Sequence, residues 1–206
     1  WIVCVALRES SQADWRPRSW PVDNLSDRDA SGEMCLKSPA RPPHHSEFRM
    51  KQNLLGYSVN VRRVDACADE IMSEVTKGAD GGAAHVAWLA CLNPHSYAVA
   101  LEDQAFVEAL RSADWLIPDG VGVVLAGRVL GASIPARVTG SDIFYGLHQR
   151  MNAVGGYSVF FLGASEETLA LIRARMAVDY PAIRVAGTYS PPFKPEYSDA
   201  ELDEMI

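Results

Sequence analysis

The pattern of apolar and polar residues changes at about Met50. Before it, apolar residues follow neither the two-residue period of a strand nor the 3.6-residue period of a helix, and three of the five tryptophans lie there with a cluster of prolines. From Met50 onward, short apolar runs alternate with helical repeats. We therefore expect residues 1–49 to be a poorly ordered extension. Either the natural protein starts at Met50 and the extension does not belong to it, or the extension is a natural, disordered N-terminal arm. We expect residues 50–206 to form the folded domain.

The alternation after Met50 predicts strands and helices in turn. Strands are predicted at residues 55–61, 85–92, 115–117, 157–162 and 183–186. Helices are predicted at residues 65–75, 96–110 (as one or two short helices), 120–130, 141–154 and 166–179, with a loop at 78–82. Repeated strand-helix alternation is typical of a parallel sheet with right-handed crossovers. The fold class predicted is therefore α/β, a Rossmann-like parallel sheet flanked by helices in a single domain.

Composition and charge exclude several classes of protein. A chain of 206 residues that is 48% hydrophobic is long enough to bury one good core. Its net charge of -7 argues against a nucleic-acid-coating protein, so no nucleic acid partner is expected. The four cysteines form no C-x-x-C pair and no metal-ligand spacing with the histidines, which predicts a reduced chain without bound metal. No apolar run approaches the roughly 18 residues that span a bilayer.

The first candidate for chemistry is the turn that follows the strand predicted at 85–92. Asn93 could exchange hydrogen bonds with a sugar or an amide, and its alternative role is an Asx turn before Pro94 and a helix. Cys91 could act as a nucleophile. With no basic residue close in sequence, it is better explained as a small apolar strand residue.

The second candidate is the turn Pro118-Asp119-Gly120. A carboxylate at a strand end can serve as a general base on a hydroxyl, and Asp119 could equally cap the following helix. The pair Gly120 and Gly122 suggests a dinucleotide-binding loop. The G-x-G-x-x-G fingerprint fails, however, because Leu stands at position 125, and this disfavours a nucleotide-dependent oxidoreductase.

The third candidate is the loop at residues 135–142, which leads into a predicted helix. Arg137 there suits a diphosphate, because both its guanidinium fork and the amides of the helix start favour anions. The alternative is an exposed arginine beside a helix capped by Ser141 or Asp142.

These segments resemble the WecG/TagA/CpsF glycosyltransferases of bacterial surface-polysaccharide assembly. The resemblance runs through LNPHSYAVA, ADWLIPDGVGVVLAGR, IPARVTGSDI, YSVFFLGAS and YPAIRVAGTYSPPF, and covers about residues 52–194. It implies an inverting transferase that moves an N-acetylhexosamine, commonly N-acetylmannosamine, from a UDP-sugar donor to a polyprenyl-diphosphate-linked acceptor. It also implies a cytoplasmic enzyme in peripheral contact with the inner face of the cell membrane, without a cofactor or metal. The sequence leaves open whether the protein forms a homo-oligomer.

The resemblance also assigns roles to residues of the three turns. Asp119 corresponds to the proposed general base, Arg137 to the arginine that neutralises the diphosphate, and Asn93 to an asparagine of the substrate pocket. Cys91 stands where many relatives carry threonine, so this sequence has a thiol in place of the hydroxyl expected there. The remaining positions that fit the pattern, in binding or only structural roles, are Gly120, Gly140 and Asp142.

The family pattern continues beyond the YSPPF region with another strand, a G-x-P-K-Q-E-like block and a membrane-contacting C-terminal segment. This sequence stops at Ile206, before either. We therefore expect a C-terminally incomplete domain whose 206 residues alone have weak activity or none. The rival interpretations are a non-catalytic UDP-sugar-binding module and the nucleotide-dependent oxidoreductase.

Overall fold

The structure, a computed structural model, describes residues 8–9, 51–79, 87–194 and 197–205. The strands are β1 (Arg8–Glu9), β2 (Lys51–Leu54), β3 (Tyr57–Asn60), β4 (Leu89–Leu92), β5 (Trp115–Pro118), β6 (Tyr157–Leu162) and β7 (Arg184–Tyr189). The helices are α1 (Val64–Ala79), α2 (Pro94–Ala100), α3 (Gln104–Ser112), α4 (Val121–Val129), α5 (Gly140–Val154), α6 (Glu166–Asp179) and α7 (Asp199–Met205). The prediction for residues 1–49 falls outside the described residues, apart from β1.

The strands pair in two parallel ladders and one hairpin. β4 and β5 are parallel, and so are β6 and β7, as crossovers through helices require. β1 lies antiparallel on the other edge of β6, and β2 and β3 form the hairpin. The predicted α/β class with parallel strands flanked by helices is confirmed. Across the described residues, the parallel strands form two separate hydrogen-bonded pairs.

Strand β5 separates two apolar clusters. Trp115 and Ile117 point into a cluster built with α1, α5, α6 and β6, whereas Leu116 points into a second cluster with the hairpin, α3 and α4. All of β5 is buried, which explains why it reads as a continuous apolar run instead of an alternating one. The residue that follows β5 is thus held by packing on both faces of the strand.

The prediction of a strand at residues 55–61 is wrong for its first two residues. Leu55 and Gly56 both have positive φ, at 54° and 85°, and form the two-residue turn between β2 and β3. A turn with positive φ at both positions suits the twist of a hairpin and usually carries Asn-Gly or Asp-Gly. Because leucine occupies the first position here, the sequence lacks the residue pair by which such a turn is usually recognised.

Other boundaries differ from the prediction at the ends of elements. The helical region at 96–110 is two helices, the second capped by Asp103, whose side chain accepts from the amide of Phe106. Helix α1 continues to Ala79, into the predicted loop. Strand β7 continues to Tyr189, and α7 was not predicted. Within the described ranges, no helix is long and apolar enough to cross a bilayer.

Met151 provides a test of the first cluster. Its side chain on α5 is fully buried there. We expect Met151→Ala to lower the free energy of unfolding by about 2–5 kcal/mol, because it removes apolar contacts and leaves a cavity. Urea denaturation measures the loss. Gln149→Ala, at an exposed position of the same helix, is the control and should change stability by less than about 0.5 kcal/mol. Equal effects of the two substitutions would contradict the described packing.

Candidate active site

The carboxyl ends of β4 and β5 lie side by side. Leu92 pairs with Pro118 as the last step of the parallel ladder, and the amide of Asp119 donates to the carbonyl of Leu92 at 2.9 Å. Asn93 and Asp119 follow these strands directly. The structure therefore brings these two predicted site residues to one edge of the sheet, where α/β proteins commonly bind ligands.

The loop that carries Arg137 reaches the same edge. The amide of Val138 donates to the carbonyl of Pro118 at 3.1 Å, and the Val138 side chain is buried in the first cluster. This anchor leaves the neighbouring Arg137 exposed. Its positive charge acts on the carboxyls of both Asp119 and Asp142. A guanidinium and two carboxylates thus share one electrostatic environment.

The carboxylate of Asp119 is free of a helix-capping role. Helix α4 begins after Gly120, and no side chain caps it. Within the described part of the chain, no donor contacts the Asp119 carboxylate. Partial burial raises the pKa of Asp119 above its ordinary value, the charge of Arg137 opposes this rise, and Asp142 adds to it. Asp119 is therefore a more basic carboxylate than usual, with oxygens available to a ligand.

The two glycines after Asp119 have a steric explanation. Gly120 has φ of 96°, a conformation that disfavours side chains. A Cβ on Gly122 would lie 2.9 Å from Cγ of Pro94, so the starts of α2 and α4 approach closely only because position 122 is glycine. The G-x-G pattern is therefore explained by the backbone conformation at Gly120 and by helix packing at Gly122.

Asn93 is the N-cap of helix α2. Its Oδ1 accepts from the amide of Ser96 at 2.8 Å, and the Ser96 hydroxyl accepts from the amide of Asn93 at 2.8 Å. This reciprocal pair is a capping box. Asn93 therefore has the structural role predicted as its alternative, at the turn before Pro94 and helix α2. No described residue accepts from its Nδ2, so the amide can still donate to a ligand.

Asp142 belongs to a second capping box, at the start of α5. The N-cap is Thr139, whose hydroxyl accepts from the amide of Asp142 at 3.0 Å, while the Asp142 carboxylate accepts from the amide of Thr139 at 3.0 Å. Hydrogen bonds from the hydroxyl and the amide of Thr139 hold the pKa of Asp142 below its ordinary value. Sequence reasoning missed Thr139, although T-x-x-D is itself a capping signature.

Cys91 and Gly140 lie against each other between β4 and α5. A Cβ on Gly140 would be 3.3 Å from Sγ of Cys91, so glycine lets the helix start approach the strand. Burial, and next the negative charge of Asp119, raise the pKa of the Cys91 thiol to about 11. A thiol that stays protonated at neutral pH is a weak nucleophile, which favours a lining role for Cys91.

A helix start and one guanidinium give this edge features that suit an anion. The first amides of α4 receive no side-chain cap, and free amides at a helix start attract phosphate groups. Arg137 adds a full positive charge nearby. Among the residues that the structure describes, three or more His, Cys, Asp or Glu side chains are nowhere grouped as a metal ion would require.

The Thr139 capping box gives a stability prediction with a pH dependence. We expect Thr139→Ala to cost about 0.5–2 kcal/mol at pH 7. Because the folded state lowers the pKa of Asp142, the ionised carboxylate stabilises the fold at pH values above its ordinary pKa of 3.8. This stabilisation is lost as the pH falls through the lowered pKa. The cost of Thr139→Ala should therefore shrink at about pH 3, as measured by urea unfolding. Ser165→Ala, which removes the cap of α6 bonded to Thr168, should cost a similar amount at both pH values.

The fold and the site together define an α/β protein in which a carboxylate of raised pKa and an arginine lie at the ends of parallel strands. The chain belongs to the glycosyl transferase WecG/TagA/CpsF family, whose model matches residues 52–206.

Two curated relatives are both named N-acetylglucosaminyldiphosphoundecaprenol N-acetyl-beta-D-mannosaminyltransferase. The relative from Bacillus spizizenii is 32% identical over 101 residues, which are 49% of this chain and 39% of the relative. The relative from Bacillus subtilis is 28% identical over 99 residues, which are 48% of this chain and 38% of the relative. The chain thus matches about two-fifths of the length of each relative.

Proposed function

We propose that the protein transfers an N-acetylhexosamine, N-acetylmannosamine first among them, from a UDP-sugar to a polyprenyl-diphosphate-linked sugar, with inversion at the anomeric carbon. Family membership supports the class of reaction, and the names of the relatives support the sugar and the acceptor. The observation that carries the proposal is Asp119: a partly buried carboxylate with a raised pKa, uninvolved in capping, within the field of Arg137.

In this proposal Asp119 is the general base. Its carboxylate takes the proton of the acceptor hydroxyl while that oxygen forms a bond to the anomeric carbon of the donor. The bond from this carbon to the UDP oxygen breaks on the opposite face, and UDP leaves with the electron pair. The raised pKa suits the step, because a more basic carboxylate is a better proton acceptor.

Arg137 stabilises the leaving diphosphate. Negative charge develops on the UDP oxygen as the bond breaks, and an exposed guanidinium fork can pair with two diphosphate oxygens at once. The uncapped amides at the start of α4 lie after Asp119 on the same edge and add to the positive field. Arg137 is thus assigned to the donor side of the reaction.

The other predicted residues shape the substrate site. The free Nδ2 of Asn93 is suited to a carbonyl or hydroxyl of the sugar, whereas Cys91 offers a small, neutral wall. Gly120 allows the positive φ of the turn, Gly140 allows α5 to approach Cys91 closely, and Asp142 fixes the loop through Thr139. With a lipid-linked acceptor, the protein would work in peripheral contact with the cytoplasmic face of the membrane.

A donor screen tests the proposal. The native protein is incubated with each of several UDP-N-acetylhexosamines and a polyprenyl-diphosphate-linked N-acetylglucosamine, and the product is analysed by mass spectrometry and NMR. Transfer of N-acetylmannosamine with inverted configuration is expected. UDP binding by calorimetry without transfer from any donor would indicate a binding module instead. A change in NADH or NADPH fluorescence on addition of the protein would indicate an oxidoreductase.

A further inference from the structure

Helix α6 carries apolar residues on its outward side as well as on its buried side. Leu169 and Met176 are buried inward. On the outward side, Leu171 is 64% exposed and Val178 is 74% exposed. The exposed small residues beside them are Ala170 and Ala174. A helix with apolar residues on both sides is ordinarily covered on both, so the outward side of α6 is suited to a partner.

Two opposite charges flank Leu171 at equal distances along the helix. Glu167 lies four residues before it and Arg175 four residues after it, and both side chains are exposed. We call Glu167, Leu171 and Arg175 the α6 ridge, because side chains spaced by four residues form one continuous row. Reversing the direction of the helix exchanges the two charges. The α6 ridge is therefore complementary in charge to an antiparallel copy of itself.

Arg175 can take a further partner. Its Nη2 lies 2.6 Å from Oδ2 of Asp179, one turn along the same helix. A guanidinium has five N–H donors, so this one ion pair leaves donors for a second carboxylate. Its side chain is 75% exposed, which makes these donors accessible to another molecule.

Ordinary helix packing would bring the charges of two copies together. In the commonest class, rows of side chains spaced by four residues interdigitate at a crossing angle of about -50°. In an antiparallel pair with its two-fold axis at Leu171, Glu167 of each copy lies beside Arg175 of the other. With a rise of about 1.5 Å per residue, each of these two ion pairs lies about 6 Å along the helix from the axis. A parallel pair would place like charges together.

The surface beside the α6 ridge extends onto α5. A cavity of about 320 Å³ lies between the two helices, and Leu171 and Arg175 are part of its lining. Tyr145, which is 57% exposed, lines the opposite side from α5. This cavity offers apolar walls to side chains of a facing molecule, so the contact surface is wider than one helix.

We propose that two copies of the chain associate through the α6 ridge in an antiparallel, two-fold dimer. Leu171 of each copy meets its equivalent at the axis, and a Glu167–Arg175 ion pair lies on either side. A 14-residue helix is about 21 Å long, so the interface is smaller than the roughly 1,200 Å² of a stable complex. The dimer is therefore weak and reversible. The proposal does not depend on the proposed function, whose candidate residues lie outside α6.

Sedimentation velocity of the purified protein from about 1 to 500 µM tests the association, and we expect a Kd on the order of 10–100 µM. Leu171→Ser should weaken the dimer at least about tenfold, because both copies lose the apolar contact at the axis. The matched control is Leu125→Ser, which changes a leucine of similar exposure on α4 and should leave the dimer unchanged. Circular dichroism checks that each variant is folded.

A charge exchange identifies the second copy as the partner. Glu167→Arg and Arg175→Glu should each weaken self-association at least about tenfold, because each places like charges opposite one another twice. An equimolar mixture of the two variants restores both opposite-charge pairs. It should form a heterodimer with a Kd within about threefold of that of the unmodified protein, as measured by sedimentation with one variant fluorescently labelled. Glu166→Arg, an exposed residue on another side of α6, is the control and should dimerise normally.

A protein that stays monomeric over the whole concentration range would overturn the proposal. So would equal effects of Leu171→Ser and Leu125→Ser, because the contact would then lie elsewhere. Dimerisation that both charge variants retain, or a mixture that associates no better than either variant alone, would reject the antiparallel pairing of the α6 ridge.

Discussion

Asp119→Asn should reduce the rate of sugar transfer by about 10²–10⁴-fold while leaving the protein folded, because the amide cannot accept the acceptor proton. The substitution keeps the size and shape of the side chain. Binding of UDP should persist, since Arg137 and the start of α4 are unchanged. Steady-state rates with the donor identified in the screen, together with calorimetry of UDP binding, measure both effects.

The same variant should be more stable at neutral pH. Burial raises the pKa of Asp119 above 3.8, so the folded state is penalised for carrying the charge. That penalty develops as the pH rises from the ordinary value through the raised one, and it persists at pH 7. The asparagine side chain is neutral, so the variant does not bear this cost of burying a charge. The melting temperature of Asp119→Asn should therefore exceed that of the unmodified protein at pH 7, and the difference should disappear at about pH 3.

Asp103→Asn is the matched control for this prediction. Asp103 caps α3 from an exposed position, and asparagine caps about as well as aspartate. Both transfer and melting temperature should stay nearly unchanged. Transfer by Asp119→Asn at an undiminished rate would reject Asp119 as the base and would leave the family assignment intact.

Arg137→Ala should reduce kcat by about 10²–10³-fold, because the proposed function makes this guanidinium the partner of the leaving diphosphate. Arg137→Lys should recover only part of the loss, since an ammonium group supplies the charge without the planar fork. Arg184→Ala, at an exposed position of β7, should have no effect on transfer and serves as the control.

The pH profile distinguishes an electrostatic role of Arg137 from a merely structural one. The positive charge of Arg137 lowers the pKa of Asp119, so its removal raises that pKa further. A base with a higher pKa requires a higher pH to ionise. The acidic limb of kcat/KM against pH should thus move to higher pH in Arg137→Ala and stay close to its normal position in Arg137→Lys. An acidic limb that does not move in Arg137→Ala would contradict the coupling between the two residues.

The sequence predicts the order of elements well wherever one periodicity is sustained. The helix at 141–154 and the strand at 157–162 match α5 and β6 closely, since each has a long apolar repeat and a glycine at its end. The hairpin was missed because Leu55 occupies a turn position that usually carries a polar residue. The pairing of β2 with β3 holds Leu55 in a backbone conformation that leucine by itself disfavours.

The site shows a different limit of sequence reasoning. The order of elements is enough to place Asn93 and Asp119 at strand ends, because parallel strands align their carboxyl ends. It cannot decide whether a side chain caps a helix or faces a ligand. That decision depends on hydrogen bonds: Asn93 and Asp142 accept from backbone amides, whereas Asp119 is left out of the capping of α4. The steric reason for Gly122, its contact with Pro94, also joins two segments distant in sequence.

The burial of β5 between two clusters has a consequence for the motions of the site. Local unfolding that released Asp119 from its place would have to separate Trp115 and Ile117 from one cluster and Leu116 from the other. Because both clusters would be disrupted, we expect such an opening to cost a large part of the free energy of unfolding. Asp119 therefore follows a strand that is held from both sides, and we expect its backbone to keep its position while both clusters stay packed.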